Sequence, residues 1–243
     1  IDNVSLEIKL TKSDDSFLLM CPDGENVKIV LDEVELHIRK NNLFSDALVE
    51  IQQMHLKEDA KYPTAMIKVN TDIIPTGSSS FNITKEFHGD IPKQIIIGMV
   101  KNEAYTGKTN VNPFNFEHFD LQYFNGKVNS MPIIPNPYQF DFTKKEYASA
   151  YWGLMLTLGY AGKDDGMDIS RNEYDNGYFL LAFDTTPTLC NQFHSDPIQR
   201  GKCTFELRFK KNTPQAITLV MFSEYDKMFT INTANKVTSN FDG

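Results

Sequence analysis

Alternation of apolar and polar residues recurs along this chain, and no other feature restricts its fold so tightly. Cys203, Phe205, Leu207 and Phe209 are interleaved with Thr204, Glu206, Arg208 and Lys210. Successive side chains of a strand point to opposite faces, so such a run has one apolar and one water-compatible face. Leu6, Ile8 and Leu10 alternate with Ser5, Glu7 and Lys9 in the same way. Val27, Ile29 and Leu31 continue the theme before the phase shifts to Val34, Leu36 and Ile38. A one-residue phase change inside a strand requires a β-bulge, which this pattern puts near Asp32 and Glu33.

Further strands are predicted at Met66 to Ile74, Lys93 to Val100, His118 to Phe124, Tyr178 to Asp184 and Ala216 to Tyr225. Gln94 to Val100 is apolar on both faces, so both sides of that strand are expected to be covered. Asn125-Gly126 reads as a two-residue hairpin, because both central positions of such a turn need positive φ. Helical signals are few. Thr143 to Glu146 has the form of a capping box opening a helix to about Leu156, with Tyr147, Tyr151, Leu154 and Leu158 at helical spacing and Gly159 as a stop. Ser45 is placed as the cap of a second helix with Leu48, Ile51, Met54 and Leu56 on its packed side. Ser170 to Glu173 forms another capping box, good for a turn or two. Irregular connections rich in Gly, Pro, Asn and Ser are expected at 76–80, 106–113 and 131–142. Many strands, sparse helices and elaborate loops define an all-β antiparallel sandwich with one or two short helices in the connections.

The 243 residues fit one large all-β domain plus a small appendage. Eighteen Phe against one Trp suit a thick core between sheets, since Phe fills space without needing a hydrogen-bond partner. The net charge of −8 argues against direct binding of nucleic acid or anionic lipid. The pairs Lys144-Lys145 and Lys210-Lys211 are short enough to be solvated lysines at element ends. Cys21, Cys190 and Cys203 lack metal spacing and are odd in number, so reduced, mostly buried thiols are expected. The sequons at Asn3 and Asn82 are short enough to arise by chance. No apolar run reaches the ~18–20 residues of a membrane span. The chain opens on Ile1 rather than Met, which reads as a fragment, a processed product or a partly traced chain.

No catalytic, cofactor or metal residues are assigned. His194-Ser195-Asp196 has the residue types of a triad, but three neighbours in sequence do not converge as a triad must. His37, His55, His88, His118 and His194 show no ligand spacing. Asp164-Asp165-Gly166-Met167-Asp168 clusters carboxylates around a Gly but lacks full calcium-loop spacing, so an acidic turn is expected there. Glu117 and Asp120, placed on a strand, are expected to point to opposite faces and so not to cooperate as a carboxylate pair. Phe114, Phe116, Phe119, Tyr123 and Phe124 are assigned to core packing rather than base stacking.

Several stretches, taken in order, resemble one family. Leu6 to Met20 (LEIKLTKSDDSFLLM), Lys61-Tyr62-Pro63, Asp90 to Gly98 (DIPKQIIIG), Asn112 to Phe119 (NPFNFEHF), Asp168 to Tyr174 (DISRNEY), Asn176-Gly177-Tyr178 and Asp184 to Pro187 (DTTP) are similar to segments of the major capsid proteins of polintons, or Mavericks, and polinton-like viruses. The order and spacing agree across nearly the whole chain. The loops closing around Pro132 to Pro137 and running from Thr188 to Lys202 depart from the family pattern.

The resemblance implies a jelly roll, specifically the C-terminal half of a double-jelly-roll subunit. Residues 1–25 would be closing strands of a preceding roll or an N-terminal hairpin, and residues 26–243 the C-terminal roll. It also implies a structural, non-enzymatic protein of the virion capsid, made in the host cytoplasm or nucleus. The implied partners are two further copies in a trimeric pseudo-hexagonal capsomer, the icosahedral lattice, and penton or minor capsid proteins. Tyr147, Tyr151 and Trp152 are candidates for a contact between copies. The competing readings are a jelly-roll carbohydrate-binding module and a hydrolase using paired carboxylates.

Overall fold

The computed structural model describes residues 7–22, 25, 27–39, 41–186 and 199–239. The strands in chain order are β1 (Ala60–Ile74), β2 (Ser80–Asp90), β3 (Gln94–Lys101), β4 (Leu121–Val128), β5 (Met131–Pro132), β6 (Tyr138–Gln139), β7 (Leu180–Asp184), β8 (Arg200–Phe209), β9 (Ile217–Ile231) and β10 (Val237–Ser239). The helical pieces are short but more numerous than expected: α1 (Asp15–Leu18), α2 (Ser45–Lys57), α3 (Asn102–Tyr105), α4 (Ala148–Thr157) and α5 (Arg171–Tyr174), with a 3₁₀ turn at Phe142–Lys144.

Two antiparallel sheets face each other. One has the order β1-β9-β3-β7 with β10 beside β9, and the other β2-β8-β4-β5 with β6 beside β4. The pairing follows one rule. The first long strand pairs with the last (β1 with β9), the second with the one before it (β2 with β8), β3 with β7, and β4 with the short β5 and β6. A long hairpin wrapped around a barrel-like sandwich gives this order, and it is the jelly roll.

The alternation of β8 is realised as expected, with Cys203, Phe205, Leu207 and Phe209 inward and buried. Phe124 from one sheet stacks on Phe183 from the other at 5.2 Å and lies 6.0 Å from Phe205. Fully burying each such ring is worth roughly 1.5–3 kcal/mol. β3 is buried on both faces over most of its length, as its composition demanded.

One end of the sandwich interior is polar. Lys85 on β2 reaches Asp72 on β1 at 2.9 Å, and the buried Lys227 on β9 reaches Asp90 at 2.8 Å. Two charges inside a sandwich are tolerated only as partners, because an unpaired one would bear its whole desolvation cost.

Several expectations are corrected. Residues 27–39 carry no strand, and neither do residues 7–14, despite their alternation. Both stretches lack a ladder, and a strand exists only through its neighbour's hydrogen bonds. Asn125-Gly126 is not a turn but lies inside β4. Gly126 is there for clearance: a Cβ would stand 3.3 Å from Ile133 and from the Phe205 ring. The hairpin turns three residues later at Asn129 and Ser130, which supply the paired positive φ values of 48° and 73° and bring Val128 opposite Met131.

The helix expected to open at Thr143 opens instead after Tyr147. Asp141 takes the Thr143 N–H into a 3₁₀ turn that ends at left-handed Lys145. Gly159, at φ 76°, does stop α4. Ser170 and Glu173 form the reciprocal capping box that their spacing indicated. In α2 the cap position is Phe44 rather than Ser45, and none of its residues is buried, so Leu48, Ile51, Met54 and Leu56 face no packed side. The connection 131–142 contains β5 and β6, and β2 has no counterpart among the expected strands.

Candidate functional site

Two surface features stand out on this sandwich: a polar cleft at one end and an apolar strip on the outside of the sheet that holds β1.

The cleft has a volume of about 470 Å³ and is lined by residues 115, 117–120, 175–177, 211, 212 and 214. Its wall begins at a joint between three segments. The Phe116 N–H donates to the Gly177 carbonyl at 2.8 Å, and the Phe179 N–H returns to the Phe116 carbonyl at 3.1 Å. The Phe116 ring lies over Gly98 of β3 so closely that a Cβ there would come within 2.5 Å of it. A Cβ on Gly177, whose φ is 95°, would come within 2.7 Å of the Asn115 side chain. The glycines therefore let a loop lie flat on the sheet.

Beyond the joint the chain turns sharply. Phe119 and Asp120 both have positive φ, 47° and 54°. This turn overturns the expected placement of Glu117 and Asp120 on opposite faces of a strand, for both line the same cleft. Glu117 accepts from Asn115 Nδ2 at 2.8 Å and lies 3.4 Å from Lys101 Nζ. His118 is half-buried, with its ring stacked 3.6 Å from Phe142 and its Nδ1 accepting the Asp120 N–H at 3.0 Å. That acceptance fixes the proton of the neutral ring on Nε2. Burial holds the imidazole below its ordinary value, opposed by Asp120, Asp175 and Glu117. Among the described residues on the lining, the carboxylates Glu117, Asp120 and Asp175 outnumber the one lysine, Lys211, and the cleft is acidic.

The other candidates are dispersed. His37 is exposed beside Glu35, and His55 lies 3.3 Å from Asn235. His194-Ser195-Asp196, Cys190 and the His88 side chain lie outside the described residues, as do Leu6 and the Asn3 sequon. Asp164, Asp165 and Asp168 are exposed, and among the described residues no group of three ligating side chains could hold a metal ion. Burial pushes the Cys203 thiol up to about 12, far from thiolate chemistry. Cys21 is a free thiol and only part-buried.

Of this aromatic stretch, Phe124 is buried in the core and Phe119 packs against it, whereas Phe116 lies over Gly98 and the part-buried Tyr123 stands opposite Arg208, whose guanidinium is 4.8 Å over its ring. Phe114 is exposed and rests against Phe17 at 5.5 Å. Tyr147 and Tyr151 serve their own roll, donating to the carbonyls of Arg171 and Ile169. Of the three suggested contact residues on α4 only Trp152 is open to solvent.

The apolar strip was not foreseen. Residues directly opposite across a ladder share a face, and Val69, Phe222, Ile96 and Ala182 form one row across the outside of the sheet. At the β7 end this row is covered, since α4 packs on β7 and Gln94 Nε2 donates to the Thr157 carbonyl at 3.1 Å. At the β1 end it is bare. Ile67, Val69 and Ile73 point outward and are exposed, while their neighbours Lys68, Asn70 and Asp72 turn toward the interior. The signal was present in the sequence as an alternating run, but alternation does not say which face is in.

No family model matches the chain. An uncharacterized protein of Caenorhabditis elegans is 23% identical over 211 residues, covering 85% of this chain and 49% of that protein. The chain thus spans about half the length of the curated relative it matches. Among solved structures, a quasi-atomic model of the PBCV-1 virus capsid is similar over 76% of this chain and 52% of its own, at 9% identity and a TM-score of 0.45. PBCV-1 VP54, fitted into a reconstruction of the virophage Sputnik, is similar over 83% and 55%, at 7% identity and a TM-score of 0.49. The mavirus major capsid protein is similar over 75% and 41%, at 10% identity and a TM-score of 0.40. The assignment of the fold rests on the strand order and register themselves.

Proposed function

We propose that this chain is the C-terminal jelly roll of a viral major capsid protein of the polinton type, a structural subunit rather than an enzyme. The observation that carries the reading is where the resembling segments fall. Asp90 to Gly98, Asn112 to Phe119 and Asn176 to Tyr178 are distant in sequence, yet they meet at the single joint of Gly98, Phe116 and Gly177. A chance likeness of short motifs has no reason to converge on one packing site.

In this reading the roll stands beside a second roll in the same subunit, three subunits form a pseudo-hexagonal capsomer, and capsomers tile an icosahedral shell with penton or minor capsid proteins. The virion capsid is then where the protein resides. Residues 1–25 belong with a preceding roll as its closing strands. Residues 27–39, strand-patterned but without a ladder, fit the same assignment, because the roll that starts at Ala60 already has its full set of strands.

The test is assembly. The complete gene product, purified and imaged by electron microscopy, is expected to form trimers and closed particles. A product that stays monomeric at high concentration and never forms particles ends the proposal, and glycan-array binding by that monomer would move the fold to the carbohydrate-binding class.

A further inference from the structure

One wall of the polar cleft contains a turn made of unsuited residues. Phe119 and Asp120 are both left-handed, and the Leu121 N–H donates to the His118 carbonyl at 2.9 Å. A four-residue turn with two left-handed central positions is normally made by Asn and Gly, because a Cβ there crowds the following carbonyl. Two further bonds hold it. The Lys210 N–H donates to the Asp120 carbonyl at 2.9 Å, which ties this wall to the chain that enters the opposite one at Lys211 and Asn212. The Asp120 N–H donates to Nδ1 of His118 at 3.0 Å. That last bond imitates an Asx turn, in which a side chain bonds the backbone two residues on. Of the three bonds it is the one that a proton can remove.

The ring is held where it must respond. It stacks on Phe142 at 3.6 Å and meets the edge of Phe179 at 6.2 Å. The charged groups around it are Glu117 and Asp120 of its own loop, Asp175 after α5 and Lys211 across the cleft. Phe142 and Phe179 add no charge. In an imidazolium both nitrogens are donors, so Nδ1–H would face the Asp120 N–H. The Asp120 carboxylate, with Oδ1 3.9 Å from Nδ1, stands ready as the replacement acceptor.

We propose that His118 is a proton-operated clasp on the cleft: on protonation Nδ1 exchanges the Asp120 N–H for the Asp120 carboxylate, the left-handed pair relaxes, and the 115–120 wall parts from the chain at 210–214. Burial disfavours the charged ring and outweighs the three carboxylates that favour it, so the clasp opens below the ordinary value of 6.5. Every group in the device belongs to this chain, and it does not depend on the capsid reading.

The test is hydrogen exchange of the complete gene product, read by mass spectrometry at about pH 7.5 and 5 and corrected for the intrinsic rate at each pH. Protection of peptides covering 118–124 and 208–214 is expected to fall about fivefold or more at the lower pH, while residues 94–101 of β3 keep theirs. In His118→Asn, which supplies a true Asx acceptor that does not titrate, the loss is expected to vanish. Unchanged protection in the wild type overturns the clasp, and this arm stands even where the variant fails to fold. An equal loss throughout the roll is global destabilisation and overturns it as well, as does a full loss in folded His118→Asn.

Discussion

Two regions of this molecule carry the same sequence pattern and adopt different structures. In β8, apolar residues alternate from Cys203 to Phe209, and the strand is laddered on both sides, by β2 and by β4. Between Val27 and Ile38 the alternation recurs with one shift of phase, yet no ladder forms and the apolar side chains, apart from the part-buried Ile29, stand open to water. The difference is not in propensity, for both runs are rich in residues that suit a pleated surface. It lies in whether a neighbouring edge is available. Alternation states that a segment can be a strand with one dry face, and only a partner makes it one.

Core truncation gives the largest expected contrast between these regions. Phe205 is fully buried against Phe124 and Phe183. Phe205→Ala is expected to cost about 3–5 kcal/mol in denaturant unfolding, whereas Leu36→Ala in the same preparation stays within roughly 0.5 kcal/mol. A comparable loss at both positions would mean that residues 27–39 are packed within this chain, and the contrast would disappear.

An intermediate effect is expected at Gly98, where the loop 112–117 lies on the sheet. An added Cβ would meet Phe116 at 2.5 Å and Leu180 at 2.9 Å, so the Phe116 ring has to move. Gly98→Ala is expected to cost about 1–3 kcal/mol, and Phe116→Leu introduced with it should recover part of the loss. Additive losses in the double variant would show that the joint does not depend on this approach.

The fold was legible in the sequence wherever both periodicity and burial pointed the same way. β3, β7, β8 and β9 lie where the apolar runs put them, and the Ser170–Glu173 box caps one turn as its spacing requires. β2 was invisible because its inward positions run Phe81, Ile83, Lys85, and the lysine breaks the apolar face. Only the fold supplies Asp72 as its partner. The hairpin was misplaced because Asn-Gly serves equally as a turn and as clearance, and Phe205 decides between them from 79 residues away. The candidate site was less legible still. The left-handed pair Phe119 and Asp120 carries no glycine to betray it, so residues that look like opposite faces of a strand line one cleft. The resemblance to capsid proteins reached the right segments without revealing that three of them touch.

Histidines extend the comparison to its smallest expected effect. His37, before the sandwich, is open to solvent beside Glu35, whereas His118 is half-buried, stacked on Phe142, and accepts the Asp120 N–H. Burial lowers the His118 value from its usual 6.5, with Asp120, Asp175 and Glu117 pulling the other way. The folded state therefore binds a proton less readily than the unfolded chain. Stability from this group is complete above about pH 6.5 and is lost as pH falls through the lower, folded value. Protonation also converts Nδ1 from acceptor to donor, so the bond from Asp120 breaks at the same time. His118→Asn keeps a side-chain carbonyl near Nδ1 and removes the titration. Its unfolding free energy, followed from about pH 7.5 to 5, is expected to fall less steeply than that of the wild type. Parallel curves for wild type and His118→Asn would mean that the ring is as free to take up a proton in the folded protein as in the unfolded chain.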